Sequence, residues 1–298
     1  MKYFSLLFFI LLNSTLTNGQ TIIVLDSVSK SPIPYVGIKF NNTGFYTEEN
    51  GQFELPKERF DEIEIFHLSY NTKTLKKIET DTIYLTPKTT ILKEIVLSNK
   101  VNKINLDTFP AKKTKFFGNF PVHPSSYLLT FLTPKNKDKS FILEKITLPF
   151  DKAFGNEKID KSIVGIIRIN IFEIQENSNL NCVYISEPIK IQRGQWFAVE
   201  HKLLEDNQIT IGEKGIVIGF EIIGFEKDGK LLDNGQKLHL RPSMTGVENE
   251  YFKSETYIKY FFDNKTEIVN IDHYLNIDNN NSKKYHRTAN LGLTLLAF

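Results

Sequence analysis

The apolar residues of this chain fall in short runs rich in Ile, Val, Phe and Tyr, separated by Gly, Asn, Asp and Pro. Runs of that kind predict strands, and the residues between them predict turns. A 3.6-residue amphipathic pattern is nowhere sustained beyond about two helical turns, and no strong capping box opens one. The expected class is all-β, built from sandwiches rather than βαβ units.

The run from Thr21 to Leu97 reads as one small unit. Ile22-Ile23-Val24-Leu25-Asp26 opens it, and Leu92-Lys93-Glu94-Ile95-Val96-Leu97 closes it. Pro32 and Pro34 bracket a bend and deny ladder donors, so they suit a strand edge or a loop. Gly44–Thr47 and Gln52–Leu55 flank Asn50-Gly51, a pair favoured where a tight hairpin needs positive φ at both central residues. Glu62-Ile63-Glu64-Ile65-Phe66 alternates as a half-buried strand should, and Thr82-Ile83-Tyr84-Leu85 is a further short strand.

Residues 99–124 are Lys-, Asn- and Pro-rich and predict a linker, with Pro110 and Pro121 opposing a continuous strand. From 125 to 298 the β pattern resumes. Strands are expected at Phe141–Leu148, Ile163–Ile174, Cys182–Ile191, Trp196–Glu200, Ile216–Phe225, Lys230–Leu232, Thr256–Phe262 and Leu291–Phe298. Asp228-Gly229 and Asn234-Gly235 are hairpin signals. Ile167-Arg168-Ile169-Asn170-Ile171 alternates cleanly, which predicts a wet outer face. A second, larger β-sandwich or jelly roll fits best.

Two resemblances follow from these residues. The order Val-x-Asp, Pro-x-x-x-Val, Thr-x-x-Asn-Gly-x-Phe, Ser-Tyr and a terminal Leu-x-Glu-Ile-Val resembles the carboxypeptidase-regulatory-like domain. It is carried by Asp26, Pro32, Val36, Thr47, Asn50, Gly51, Phe53, Ser69, Tyr70, Leu92, Glu94 and Val96. Ser69 stands where related sequences often have Gly. The resemblance implies a transthyretin-like β-sandwich of the kind common in Gram-negative envelope proteins, a module without catalytic residues of its own. The Arg-Ile-x-Ile-Phe, Gly-x-Trp-Phe-x-Val and Ile-Gly-Phe-Glu strands further on resemble the sandwich that often follows this module in exported proteins.

Residues 1–19 read as a secretory signal peptide. Lys2 supplies the positive start, Phe4–Leu12 is apolar apart from Ser5, and Thr17 and Gly19 are small enough for cleavage before Gln20. That apolar run is far short of the roughly 20 residues a membrane-spanning helix needs. The chain is therefore not expected to be an integral helical membrane protein. Export to the periplasm or cell surface is expected. Cys182 is the one cysteine, so no intramolecular disulfide is possible, and its apolar-alternating neighbours suit a small core residue. The net charge of +2 gives no broad field for nucleic acid. The basic runs at Lys112–Lys115 and Lys135–Lys139 sit among Pro, Asn and Asp, as solvated loops do.

Candidate chemistry is sparse. A zinc peptidase needs a His-x-x-Glu pair, which neither His67 nor His123 supplies. Glu200-His201 with Glu205 comes nearest to a ligand cluster, but its acids do not converge with the imidazole at strand spacing. Asp272-His273 and His286 lie in an Asn-rich loop region, and Asp278–Asn281 misses the spacing of a calcium loop. Ser243 has no nucleophile elbow, and Gly212, Gly215 and Gly219 read as turn glycines rather than a dinucleotide fingerprint. Most of the aromatics Trp196, Phe197, Phe220, Phe225, Tyr251, Phe252, Tyr257, Tyr260, Phe261 and Phe262 should fill the core, with Tyr251 and Tyr257 the more exposed.

No catalytic, cofactor-binding or metal residue is assigned, no cofactor is expected, and ligand-binding residues stay open. The expected function is a non-catalytic envelope protein with a structural or ligand-binding role toward a glycan or protein. One alternative is a small outer-membrane β-barrel, which Ile216–Phe220 and Leu293–Leu296 oppose by being apolar on both faces. The other is a hydrolase whose paired carboxylates are set by the fold and not by spacing.

Overall fold

The structure, a computed structural model, describes residues 20–88, 102–108, 118–150, 160, 162–176, 179–192, 197–203, 209–233, 238–262, 268–272 and 287–298. The fold is all-β, as expected, and is arranged in three layers. Residues 1–19, expected to be a signal peptide, the closing Leu92–Leu97 run, Trp196, Glu205, Asn234-Gly235, His273, Asp278–Asn281 and His286 lie outside the described residues.

The outermost layer is the first unit. Its strands are β1 (Thr21–Asp26), β2 (Gly37–Phe40), β3 (Thr43–Tyr46), β4 (Gln52–Glu54), β5 (Ile63–Phe66), β6 (Lys73–Leu75) and β7 (Thr82–Leu85). They form a sheet of order β4-β1-β7 and another of order β3-β2-β5-β6. Alternation along each strand sends Ile22, Val24, Ile38, Phe53, Ile63, Ile65, Ile83 and Leu85 into one apolar core. Asp26 Oδ1 accepts the Val28 and Ser29 amides, and Tyr70 Oη donates to Asp26 Oδ2 at 2.9 Å. These bonds hold the Asp26 carboxyl below its usual range.

The turn at Asn50-Gly51 differs from the sequence reading. Gly51 has φ 75°, whereas Asn50 does not reach positive φ. Gly51 N–H donates to Glu48 O and Glu48 N–H to Gln52 O, so three residues form the loop and Gly51 is its bulge. The two-residue turn lies earlier, at Asn41-Asn42, where Asn41 takes φ 49° between β2 and β3.

The second unit supplies β8 (Asn102–Leu106), β9 (Gly118–Asn119), β10 (Ser126–Pro134), β11 (Phe141–Phe150), β12 (Val164–Ile174), β13 (Leu180–Ile185), β14 (Ile189–Gln192) and β15 (Phe197–Lys202). It continues with β16 (Ile209–Ile211), β17 (Ile216–Lys227), β18 (Lys230–Leu231), β19 (Ser243–Thr245), β20 (Phe252–Tyr260), β21 (Val269–Asn270), β22 (Thr288–Ala289) and β23 (Gly292–Ala297). The middle layer is an eight-stranded sheet, β13-β12-β17-β10-β20-β21, with β14 on β12 and β18 on β17. The third layer is a five-stranded sheet, β15-β11-β23-β8, with β16 on β11. A small β22-β19-β9 sheet completes the unit. Between the middle and third layers lies the largest core, which takes Ile167, Ile169, Ile171, Ile216, Ile218, Phe220 and Ile222 from one side and Phe141, Leu143, Ile146 and Leu148 from the other.

Four local findings depart from the sequence pattern. Residues 126–134, an apolar stretch broken by Ser126, Thr130 and Thr133 and absent from the expected strands, form β10 at the heart of the middle sheet. Asn102–Leu106, inside the stretch read as linker, is an edge strand on β23, with Ile104 and Leu106 packed on the core. Cys182–Ile191 is not one strand but two, split at Glu187-Pro188, where proline lacks the ladder donor. Gly219 is no turn glycine: it lies mid-strand in β17, with the Phe172 ring and Leu129 over it. Gly215, at φ 77°, does make a turn.

The alternation of Arg168 and Asn170 does not give a wet face. Arg168 is 2% exposed and Asn170 is fully buried, because the first unit covers that side of the middle sheet. Long strands apolar on both faces follow from the same cause: β12 and β17 are sandwiched between two layers. In β17 a bulge at Ile223 shifts the register against Ile166/Ile167. Residues 216–222 point alternately inward from Ile216, and beyond the bulge Phe225 points inward while Glu226 faces the first unit.

Candidate site at the junction of the two units

A buried polar cluster joins the first unit to the middle sheet. Arg168 on β12 and Glu221 on β17 are direct cross-strand neighbours, and Arg168 Nη1 lies 3.3 Å from Glu221 Oε2. Both side chains are almost fully enclosed. Asn170 Nδ2 donates to the same oxygen at 3.1 Å and to Tyr127 Oη at 2.8 Å. From the first unit, Tyr46 Oη donates to Glu221 Oε1 at 2.9 Å, and Arg168 Nη2 reaches back to the Pro34 carbonyl at 3.2 Å. Burial and the Glu221 charge push the Tyr46 and Tyr127 hydroxyls well above the usual phenol range. They stay protonated and act as donors.

A second anchor sits further along β17, past the bulge at Ile223. Tyr35 Oη donates to Glu226 Oε2 at 2.7 Å, and Lys190 bridges Glu226 at 3.0 Å and Glu49 at 2.8 Å. Tyr35 takes φ 52°, a conformation strained for a bulky residue, and is 1% exposed. The apolar part of the junction packs Tyr35, Tyr46 and Phe66 against Ile166, Ile223 and Phe262. Glycines make this close approach possible. Phe66 lies over Gly37, and Phe262 lies over Gly44, where a Cβ would come within 2.3 Å of its ring.

Beside this cluster opens a cleft of about 1130 Å³ with walls from both units. Thr43, Gly44, Phe45, Tyr46, Glu48 and Glu54 form one wall. The other is made by His123–Ser125, the β17 bulge at Ile223-Gly224, Leu231–Asp233, Tyr260 and Phe262. Among the described residues its charged members are Glu48, Glu54 and Asp233, all acidic. Ser125, at φ 62°, is held by two main-chain bonds, its N–H to Ile222 O and its carbonyl to Phe261 N–H. His123 Nδ1 is buried with no hydrogen-bond partner among the described residues.

The side chains weighed from sequence are scattered. His67 Nδ1 accepts the Ser69 amide, His201 Nε2 pairs with Tyr184 Oη at 2.7 Å, and His239 Nε2 accepts from Arg241 Nε at 2.9 Å. Ser243 is buried and bonded to Asn290. Burial raises the Cys182 thiol to about 12. Phe220, Phe225 and Phe252 fill the core, and Tyr251 and Tyr257 are half-buried against Phe141 and Phe131. Among the described residues, no three His, Cys, Asp or Glu converge on a metal-sized site, and no helix is long and apolar enough to cross a membrane. The junction residues Tyr35, Tyr46, Tyr127, Arg168, Asn170, Glu221 and Glu226 were not singled out as a site by sequence. A usable signal existed: one cation and one anion, each embedded in an apolar strand.

The histidines give a pH dependence. Burial, with Arg168 and Lys88 nearby, holds the His67 imidazole well below its ordinary value, and burial lowers His201 and His239 as well. The unfolded chain then binds more protons than the fold as pH falls below about 6.5. Stability is complete above that pH and declines below it, well before carboxyl groups titrate. Urea unfolding should show a lower midpoint at pH 5.5 than at pH 7.5. Equal midpoints would mean that these imidazoles are not held neutral.

No protein-family model matches this chain, and no curated protein matches it.

Proposed function

We propose that this protein is a non-catalytic binding module of a Gram-negative cell envelope, exported and cleaved before Gln20. In this reading its first unit is a carboxypeptidase-regulatory-like sandwich, and its ligand is an envelope glycan or another envelope protein. The observation that carries the reading is the cleft between the units. Its walls combine aromatic faces, carboxylates and main chain, the mixture that a binding cleft uses to fix a ligand's orientation. The buried Arg168–Glu221 cluster beside it holds the two walls in one geometry. Preorganisation of that kind lowers the ordering cost of binding.

The test is equilibrium binding of residues 20–298 to envelope oligosaccharides and to purified envelope proteins. It is run beside Leu231→Glu, which places a charge on the cleft wall at a half-buried position. The expected result is a ligand bound by the parent chain and lost by the variant, with a cooperative urea transition retained, at a lower midpoint because Leu231 packs on the junction, and the ligand recovered intact. Binding that survives Leu231→Glu places the site elsewhere. Chemical turnover of the ligand would replace the reading with a hydrolase.

A further inference from the structure

We propose that the cleft receives an extended, Lys- or Arg-bearing segment of a partner protein, added as a strand to the free edge of β3. The inference rests on the reading of the cleft as a binding site and names its ligand class.

The ladder phase comes first. β3 is the terminal strand of the order β3-β2-β5-β6. Thr47 N–H donates to Val36 O, which marks that pair as hydrogen-bonded. Antiparallel pairs alternate, so Phe45 and Thr43 also bond to Ile38 and Phe40. The main-chain groups of Gly44 and Tyr46 therefore point away from β2, along the side where β3 meets the cleft. Gly44 has no side chain to screen its peptide groups, yet it lines the cleft, so main chain itself forms part of the wall.

The edge also lacks the usual protection. Free edges are commonly blunted by lysine, proline or a bulge. Edge strands β6, β8 and β14 of this protein carry Lys73, Lys103 and Lys190. β3 reads Thr-Gly-Phe-Tyr, with no such residue. Its neighbours are apolar on both faces, with Phe45 on one side and Phe262 over Gly44 on the other. An incoming strand would find main-chain partners in its plane and apolar contacts above and below, which is the recognition mode of strand addition.

Charge selects the sequence of that strand. Glu48, two residues beyond β3, and Glu54, at the end of β4, line the cleft with it, and neither makes an ion pair among the described residues. Among the described residues, no Lys or Arg lines the cleft. An acidic or phosphorylated segment would meet repulsion, whereas a basic one gains complementary charge.

The experiment selects a display library of random dodecapeptides on the full mature chain. Binders are then measured against parent protein and Glu48→Lys/Glu54→Lys, two surface changes that leave the core intact. Amide exchange is followed at Gly44 and Tyr46 in the parent chain with a selected peptide bound. Expected are peptides with Lys or Arg at alternate positions, binding weakened about ten-fold or more in the variant, and slowed exchange at both amides. Acidic or unenriched peptides, or unchanged exchange at those amides, overturn the inference. A glycan bound in the cleft instead of peptide overturns it and leaves the cleft's binding role standing. If neither binds there, the binding role itself falls.

Discussion

Arg168→Leu should lower the unfolding free energy by about 3–5 kcal/mol, the range found when one partner of a buried ion pair is removed. The reason lies in what remains. Glu221 would keep only neutral donors, Tyr46 Oη at 2.9 Å, Asn170 Nδ2 at 3.1 Å and Tyr127 Oη at 3.5 Å, in a site closed to water. The Pro34 carbonyl would lose the Arg168 donor that reaches it across the junction. Glu221→Leu should cost a similar amount, since it strands the guanidinium instead. The double replacement Arg168→Leu/Glu221→Leu should recover much of the loss, because neither charge then has to be desolvated. Urea unfolding of the four proteins closes the cycle. Single variants that lose less than about 1 kcal/mol would fall in the range of solvent-exposed pairs, and the enclosure of this one would be refuted.

That ion pair also locates the limit of reading this fold from sequence. Period-two alternation says which residues share a face of a strand. It does not say what lies over that face. Ile167-Arg168-Ile169-Asn170-Ile171 has the same pattern whether its polar side meets water or a second unit, and here a second unit covers it. Strands and turns that depend on local chemistry were legible: Asp228-Gly229 does form a hairpin with both residues at positive φ, 51° and 80°. Features that depend on pairing partners were not. Pro188 separates two strands because β13 and β14 dock one after the other along β12. Asn102–Leu106 is a strand because β23 offers it an edge. The Ile223 bulge reverses parity within β17, so no strict alternation could have assigned both halves of that strand. The cleft was beyond reach for the same reason: it exists only where residues about 190 positions apart, such as Tyr35 and Glu226, are brought into contact.

Expressed alone, residues 102–298 should aggregate, while residues 20–88 should stay soluble. The two pieces differ in what they lose. The first unit keeps its own core of Ile22, Val24, Ile38, Ile63, Ile65 and their neighbours, and exposes chiefly Tyr35, Tyr46 and Phe66. The second unit would expose the whole outer side of its middle sheet. Ile166, Ile223, Phe262, Tyr127, Leu129, Phe172 and Val217 all face the first unit or its loop at Leu68. Each large apolar side chain returned to water costs about 1.5–3 kcal/mol, and together they form a contiguous patch of the kind that drives association. The charges at Arg168 and Glu221 would regain water and do little to prevent it. Calorimetry of residues 20–298 should accordingly give one cooperative transition. Adding residues 20–88 in trans should restore solubility to 102–298, and so should replacing Ile166, Val217 and Ile223 with threonine. A soluble, monomeric 102–298 that melts where the full chain does would mean that the units are not coupled. The two walls of the cleft would then be free to part, and the fixed geometry on which the proposed binding role rests would be gone.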